Sequence, residues 1–387
     1  LQNNLKRIPI IPSKLFKKEN YKKTFINLLN SVPVGVGPFR VVKWDKDREL
    51  LLEKVPEYNN SSTEIKKIEY LLYEKEDELV SDFITRKLDY ITLYDRKKAQ
   101  EIKKADPKNI IVTTNKLIQD KILPFFYISY NLKNELFKNK EIRKALSHAI
   151  DRSKMVSYEP RRFESRILTT SPIYRNSWAY YGGSEKHNYN PDEAKKTLIN
   201  NGWKDRNKDG KLDYNGKSFS FKLIFPKWYS FINEMVRYIQ LDLSEIGISV
   251  EPVPLSFDEI ENRINSLDYD AALLVSYYNP DDIFSTLKSF FRYKGNLGKR
   301  NLFRYRDREL FNYIYLGRKE TNRTRKKELY QRVQKIINDD KLCSFLFFQQ
   351  KMFYLIHTNH FDNIVNKIYL LPVEKWKYKE IKEKNRQ

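Results

Sequence analysis

The sequence predicts an α/β fold with mixed sheets and flanking helices, large enough for two domains. Strand-like and helix-like patterns alternate along the chain. Residues 219–252 read as strand, amphipathic helix and strand, a single βαβ unit. A length of 387 residues with 40% apolar and 14% aromatic side chains suffices to fill more than one core.

Taken in order, the first strand is expected at 39–44, where Phe39 to Trp44 alternate. Gly35 and Gly37 are free to take positive φ and Pro38 fixes φ, so Ser31-Val32-Pro33-Val34-Gly35-Val36-Gly37-Pro38-Phe39 specifies one tight path into that strand. Further strands are expected at 50–55, 68–73 and 110–114, with helices at 76–86 and 96–104. These make a first domain over 1–123. A second domain over 124–350 holds the βαβ unit, whose helix repeats apolar residues at Ile232, Met235, Val236, Ile239, Leu243 and Ile246. It continues with a strand at 269–275, the loop Ser276-Tyr277-Tyr278-Asn279-Pro280-Asp281-Asp282, a helix at 323–338 and an apolar strand at 344–348. Residues 351–387 are read as returning to the first domain, which gives two lobes joined by crossing segments with a cleft between them.

The formal net charge of +23 raises nucleic acid and anionic membranes as partners. The distribution argues against nucleic acid: lysines spread over helix faces with acids interleaved, and no basic stripe coincides with a nucleic-acid motif. No apolar run approaches the roughly 20 residues of a membrane span. The single cysteine, Cys343, lies in an apolar run, reads as a buried structural thiol and has no internal partner for a disulfide.

Several segments together resemble the family 5 extracellular solute-binding proteins, the peptide- and nickel-binding receptors of ABC importers. The Gly-rich run before Phe39 is similar to that family's Pro-Val-Gly-Thr-Gly-Pro-Tyr signature, with Val36 in place of Thr. Phe125-Phe126-Tyr127-Ile128-Ser129-Tyr130-Asn131 resembles its hinge strand, and 141–152 (EIRKALSHAIDR) its "vRxAlxxAiDR" helix. Tyr189-Asn190-Pro191-Asp192-Glu193-Ala194 with Gly202-Trp203, and 239–248 (IQLDLSEIGI), match two more landmarks. One departure is Arg86, which stands where the family's "GxlD" has its glycine, ahead of Asp89. The resemblance implies a two-lobed periplasmic-binding-protein-like fold of the class with an extra domain. It further implies that lobe I is incomplete: only residues 1–30 precede the Gly-rich run, so the chain reads as the downstream two-thirds of a receptor, with apolar side chains such as Ile68, Tyr70 and Leu72 uncovered.

No phosphate loop, nucleophile elbow, HExxH or paired CxxC occurs, so nothing supports an enzyme. The run Asp205-Arg206-Asn207-Lys208-Asp209-Gly210 begins like a calcium loop, but Gly216 holds the twelfth position where a bidentate Glu belongs, so an Asx-rich turn is expected and no metal. His357 and His360 would point to opposite faces of a strand end, and His148 is expected to pack within its helix.

The candidate ligand site is the loop after the 269–275 strand, with Ser276, Tyr277, Tyr278, Asn279 and Asp281, because α/β ligands dock at strand ends. Lys227 and Trp228, after the 219–225 strand, form a second cluster. By the resemblance, Ser276 replaces the Asp that holds a peptide's amine in relatives, and Lys227 occupies roughly the slot of an Arg for the ligand's carboxylate. Asp281 or Asp282 is a substitute for the amine contact unless it caps the helix that follows. The expected function is capture of a peptide or other small molecule, such as a nickel complex, haem or sugar, for an ABC permease. The expected setting is a monomer in the periplasm or on the outer face of the cytoplasmic membrane, touching membrane only through permease or lipid anchor, with no cofactor. The alternative is the solute-sensing region of a transcriptional regulator.

Overall fold

The computed structural model describes residues 37–45, 48–56, 58, 64–116, 122–157, 166–183, 189–227, 230–290, 305, 307–349, 351–359, 361–362 and 377–378. The chain divides into two compact units, one within residues 1–93, 98–114 and 353–387 and the other within 94–97 and 115–352.

The first unit opens with an antiparallel meander of β1 (Phe39–Asp45), β2 (Glu49–Lys54) and β3 (Lys67–Leu71). Its register places Trp44, Leu50 and Tyr70 in one row and Val41, Leu52 and Ile68 in the next, so one face is apolar. The other face carries ion pairs from Glu53 to both Arg40 and Lys67, and from Lys43 to Glu49. Ile65, Phe39 and Ile68 pack against Ile356, whereas Tyr70 and Leu72 are about half exposed (48% and 57%). The described strands of this unit that are longer than two residues form two sheets. The second has the order β4 (Tyr90–Leu93), β14 (Lys351–His357), β5 (Ile110–Lys116), and it packs against α1 (Glu76–Ile84) and α2 (Arg96–Ala105) through Phe83, Ile91, Ala99, Ile102 and Leu355.

Helix α1 ends in a Schellman turn: Lys87 N–H donates to the Asp82 carbonyl (2.9 Å) and Arg86 N–H to Phe83 (3.0 Å). That turn requires a left-handed residue, and Arg86 supplies it at φ +63°. The departure from glycine seen in the sequence therefore falls on the position where glycine is least strained.

The second unit is built on a six-stranded mixed sheet of order β11-β10-β12-β6-β13-β7. These are β6 (Leu123–Tyr130), β7 (Arg166–Leu168), β10 (Ser220–Pro226), β11 (Ser249–Leu255), β12 (Ala271–Tyr278) and β13 (Cys343–Gln349). The βαβ reading holds: β10 and β11 pair in parallel from Ser220↔Ser249 to Pro226↔Leu255, and α7 (Ser230–Glu245) runs between them. β6 is buried along its whole length because both faces are covered, which is why its sequence is continuously apolar rather than alternating. One face packs on α4 (Lys140–Ala149), α6 (Pro191–Asn200) and α7 through Phe126, Ile128, Phe347, Leu146, Leu198 and Ile239. The other packs on α9 (Ile283–Phe290), α10 (Arg308–Lys319) and α11 (Arg323–Asp339) through Phe125, Tyr127, Phe348, Leu287, Ile314 and Val333. The short helices α3 (Glu135–Lys138) and α5 (Lys154–Ser157) and the longer α8 (Phe257–Ser266) belong to the same unit.

Buried polar groups tie these layers together. The Arg143 guanidinium donates to the carbonyls of Phe137, Lys138, Asp340 and Lys341, linking two segments that are distant in sequence. Arg152 donates to the Thr169 and Phe345 carbonyls, and burial brings its pKa down to about 10. Asp242, fully buried on α7, accepts from Asp151 N–H (2.7 Å) and Lys154 Nζ (2.6 Å).

Candidate functional site

Parallel strands β10, β11 and β12 all end on one side of the six-stranded sheet, where antiparallel β6 begins and β13 finishes. The expectation that strand 269–275 gives way to a loop at Ser276 is corrected here. β12 runs on to Tyr278, pairing Ser276↔Phe125, Tyr277↔Pro124 and Tyr278↔Leu123. Extended backbone alternates its side chains, so Tyr277 and Tyr278 point to opposite faces. Tyr278 is 2% exposed, within 6.5 Å of the Tyr174 ring and 6.0 Å of Phe348, and its hydroxyl bonds Ser177. Tyr277 is 53% exposed. Ser276, half-buried, shares the Tyr278 face.

Past the strand, the chain turns into α9 through side-chain bonds. The Asn279 side-chain oxygen accepts from Asp281 N–H (3.0 Å), and Thr286 Oγ1 accepts from Asn279 N–H (3.0 Å). Asp282 Oδ1 accepts from Ser285 N–H (3.0 Å), three residues on, which caps α9. Asp281 is left exposed at this turn. Lys227 N–H donates to the Leu255 carbonyl (3.0 Å), so parallel pairing continues one residue beyond β10. From the pair Ile224↔Ala272, Lys227 falls alongside Val275, at the same sheet end as Tyr277. Lys227 is exposed. Across the turn, the Glu259 carboxyl is held below its usual range by the Ser256 hydroxyl and backbone, with the Lys227 charge adding to the effect. Trp228 lies outside the described residues.

The two clusters expected from the sequence therefore meet at one sheet end, but not on one face. Lys227 and Tyr277 are brought together, whereas Ser276 and Tyr278 turn the other way. One residue at this end escaped the sequence reading. Arg166, the first residue of β7, pairs with Gln349 of β13; its Nε donates to Gln349 Oε1 (3.2 Å) and its Nη1 to the Met155 carbonyl (2.9 Å). Its guanidinium carbon sits 4.9 Å from the Phe231 ring centroid and 5.1 Å from that of Phe347. No pattern around Arg166 marks it in the sequence, since only the register of β13 against β7 brings it here.

The described residues hold no group of three or more His, Cys, Asp or Glu arranged to bind a metal ion. In the 205–213 turn, Asp205 accepts from Asp209 and Gly210 N–H, Asp209 accepts from Lys211 N–H, and Asp213 pairs with Arg206. Asn215 and Gly216 both have positive φ (+50° and +72°) and form the tip of a two-residue hairpin between β8 (Asp213–Tyr214) and β9 (Lys217–Ser218). His357 is buried with Nε2 2.7 Å from the Phe83 carbonyl and its ring stacked on Phe83. His360 lies outside the described residues.

Residues 2–298 match the family described as Bacterial extracellular solute-binding proteins, family 5 Middle. The chain belongs to the family 5 solute-binding proteins. Among curated relatives, the oligopeptide-binding protein AppA of Bacillus subtilis is 27% identical over 327 residues, covering 82% of this chain and 56% of AppA. Heme-binding protein A of Haemophilus influenzae is 23% identical over 322 residues, covering 80% and 54%. The chain thus spans little more than half the length of these relatives. The solved structure of AppA with a nonapeptide superposes with a TM-score of 0.78 at 23% identity over 96% of this chain and 72% of that one. NikZ of Campylobacter jejuni, solved with Ni(L-His), gives 0.78 at 20% over 95% and 72%. This likeness establishes the α/β, periplasmic-binding-protein-like fold, and family 5 comprises binding proteins rather than enzymes.

Proposed function

We propose that this chain is the ligand-binding portion of an ABC-importer substrate-binding protein and that it captures a short peptide at the end of the six-stranded sheet. Family membership over residues 2–298 carries this reading. The sheet end adds to it: an exposed aromatic face at Tyr277 suits stacking on a planar peptide group, and the turn at Asn279 and Asp281 with the cation at Lys227 supplies polar contacts of both signs. Ser276, Tyr278 and Trp228 complete the proposed site, Tyr278 by bracing the strand from its buried side.

The chemistry is capture and release, with the ligand passed to a permease on the outer side of the cytoplasmic membrane, from the periplasm or from a lipid-anchored position. Because Ser276 offers no negative charge, a free peptide amine gains no ion pair there. Acetylating a peptide's amino terminus should then cost well under the roughly 2–3 kcal/mol of a lost charge-assisted bond. Calorimetry with free and acetylated forms of one peptide tests this. Saturable binding of both forms within a few-fold supports the reading. Binding of a nickel–histidine complex with no binding of any peptide overturns it.

A further inference from the structure

The helices that cover the Tyr278 face of the six-stranded sheet carry an uneven charge. From residue 317 to 336, across the end of α10, the connecting turn and most of α11, the chain has eight Lys or Arg against two Glu, a net of +6. All eight except Lys326 are exposed, and Lys326 donates to the Glu320 carbonyl. Among the described residues no carboxylate pairs with any of the eight, whereas Lys87, Lys98 and Arg206 each have one. Three of the guanidiniums rest on aromatic rings instead. Arg318 lies 4.7 Å from the Phe284 centroid, Arg323 5.4 Å from that of Trp178 and Arg332 5.3 Å from that of Tyr313. Such contacts steady a charge without neutralising it.

Gly317 lets the two helices approach, since a Cβ there would meet the Tyr330 ring at 2.5 Å. Beside this crossing lies an open groove of about 460 Å³. Leu316, 43% exposed, and Leu329 supply its apolar surface, and Lys319, Arg325 and Arg332 its cations. Of its two carboxylates, Glu320 accepts from Asn322 N–H (2.7 Å), while Glu328 is exposed and has no partner among the described residues. A phosphodiester on an apolar stem matches this arrangement, the cations meeting the phosphate and the leucines the first carbons. The unpaired charges continue along α11, about 25 Å of helix, to Lys327 and Lys335. Lysines on flexible stems suit an array of phosphates that moves to meet them, whereas a folded acidic partner is matched in fixed register.

We propose that α10 and α11 form a docking face for an anionic lipid surface, with the groove beside Gly317 receiving one phosphodiester headgroup. The chain then touches membrane directly, and not only through a permease or a lipid anchor. Ligand capture is left unobstructed: Tyr278 packs with Ile314 and Val333 under these helices, so Tyr277 turns to the other side of the sheet. That the surface met is the cytoplasmic membrane rests on the transporter reading above; the affinity for anionic lipid does not.

The test is co-sedimentation of the full chain with vesicles of phosphatidylcholine, alone or with about 30% phosphatidylglycerol, in about 0.1 M salt. Wild type is compared with a groove triple (Lys319→Gln, Arg325→Gln, Lys335→Gln), with a control triple on the opposite helix layer (Lys140→Gln, Lys195→Gln, Lys196→Gln) and with Glu328→Gln. Wild type is expected to bind only the phosphatidylglycerol vesicles. The groove triple should bind about a hundredfold more weakly, at roughly fivefold per cation, the control triple within about fivefold of wild type, and Glu328→Gln several-fold more tightly. A wild type indifferent to phosphatidylglycerol overturns the proposal, and so does a Glu328→Gln variant that binds no more tightly. Equal losses in the two triples overturn it as well, because the response is then to net charge alone. Binding to soluble poly-glutamate but not to vesicles, abolished in the groove triple, assigns the face to an acidic protein and overturns the lipid reading. No peptide is present in these measurements, so their failure leaves peptide capture standing, and failure of peptide capture leaves them standing.

Discussion

Tyr277 and Tyr278 are adjacent in sequence, and one peptide plane separates a solvent-facing ring from a core ring. Truncating Tyr278 to Ala opens a cavity between Tyr174 and Phe348 and should cost about 3–5 kcal/mol of stability. Tyr277→Ala should leave stability within about 0.5 kcal/mol and weaken peptide binding by roughly 1–2 kcal/mol. Urea denaturation of both variants and calorimetry on Tyr277→Ala check the pair; a destabilised Tyr277→Ala would show that the exposed ring braces the fold. Arg86 makes the opposite case, in which a side chain opposes its own backbone. Removing a left-handed non-glycine should stabilise, so Arg86→Gly is expected to raise stability by about 0.5–1 kcal/mol, even though it gives up the exposed contact to Asp106 at 3.5 Å. A lower urea midpoint for Arg86→Gly would mean that the ion pair outweighs the strain.

At the scale of elements, the sequence exposed what has a period. The βαβ unit was legible because α7 repeats its apolar residues at helical spacing, whereas α8 went unread although Ser256 caps it by accepting from Glu259 N–H. The end of β12 was not legible: Ser276, Tyr277 and Tyr278 are equally at home in a loop, and only pairing with Leu123, Pro124 and Phe125 keeps them extended. Arg166 was invisible for the same reason, since the register linking it to Gln349 joins residues 183 apart. The division of the first unit into two sheets also depends on a distant strand, β14. The 205–213 segment is a turn held by Asp side chains that accept backbone bonds, as its residue types suggest. With its carboxylates already accepting backbone and Arg206 bonds, millimolar calcium should leave the melting temperature unchanged, as followed by circular dichroism. A rise of many degrees, abolished in Asp209→Ala, would contradict this.

Across the whole chain, burial is unevenly distributed. No residue of β1, β2 or β3 is fully buried, whereas every residue of β6 and β13 is. Local opening follows buried contacts, so amides of the meander should exchange with solvent about a hundredfold faster, or more, than those of β6 in hydrogen-exchange mass spectrometry. Equal protection in the two would mean that the apolar row of Trp44, Leu50 and Tyr70 is covered in solution.

The same contrast gives the lone thiol a use. Cys343 sits in β13 opposite Ser129, 5% exposed, and burial pushes its pKa well above that of a free cysteine. A reagent that needs thiolate can reach it only when the central sheet comes apart, so Cys343 is a clock built into the second unit. Under conditions where reclosing outpaces labelling, the rate at which the folded protein consumes a thiol reagent, divided by the rate for the denatured chain, is the opening equilibrium constant of that unit alone. A captured peptide that binds only the closed sheet would slow the clock by a factor of one plus its concentration over its Kd. Ligand affinity could then be read without a label, from a sulfur atom that never touches the ligand.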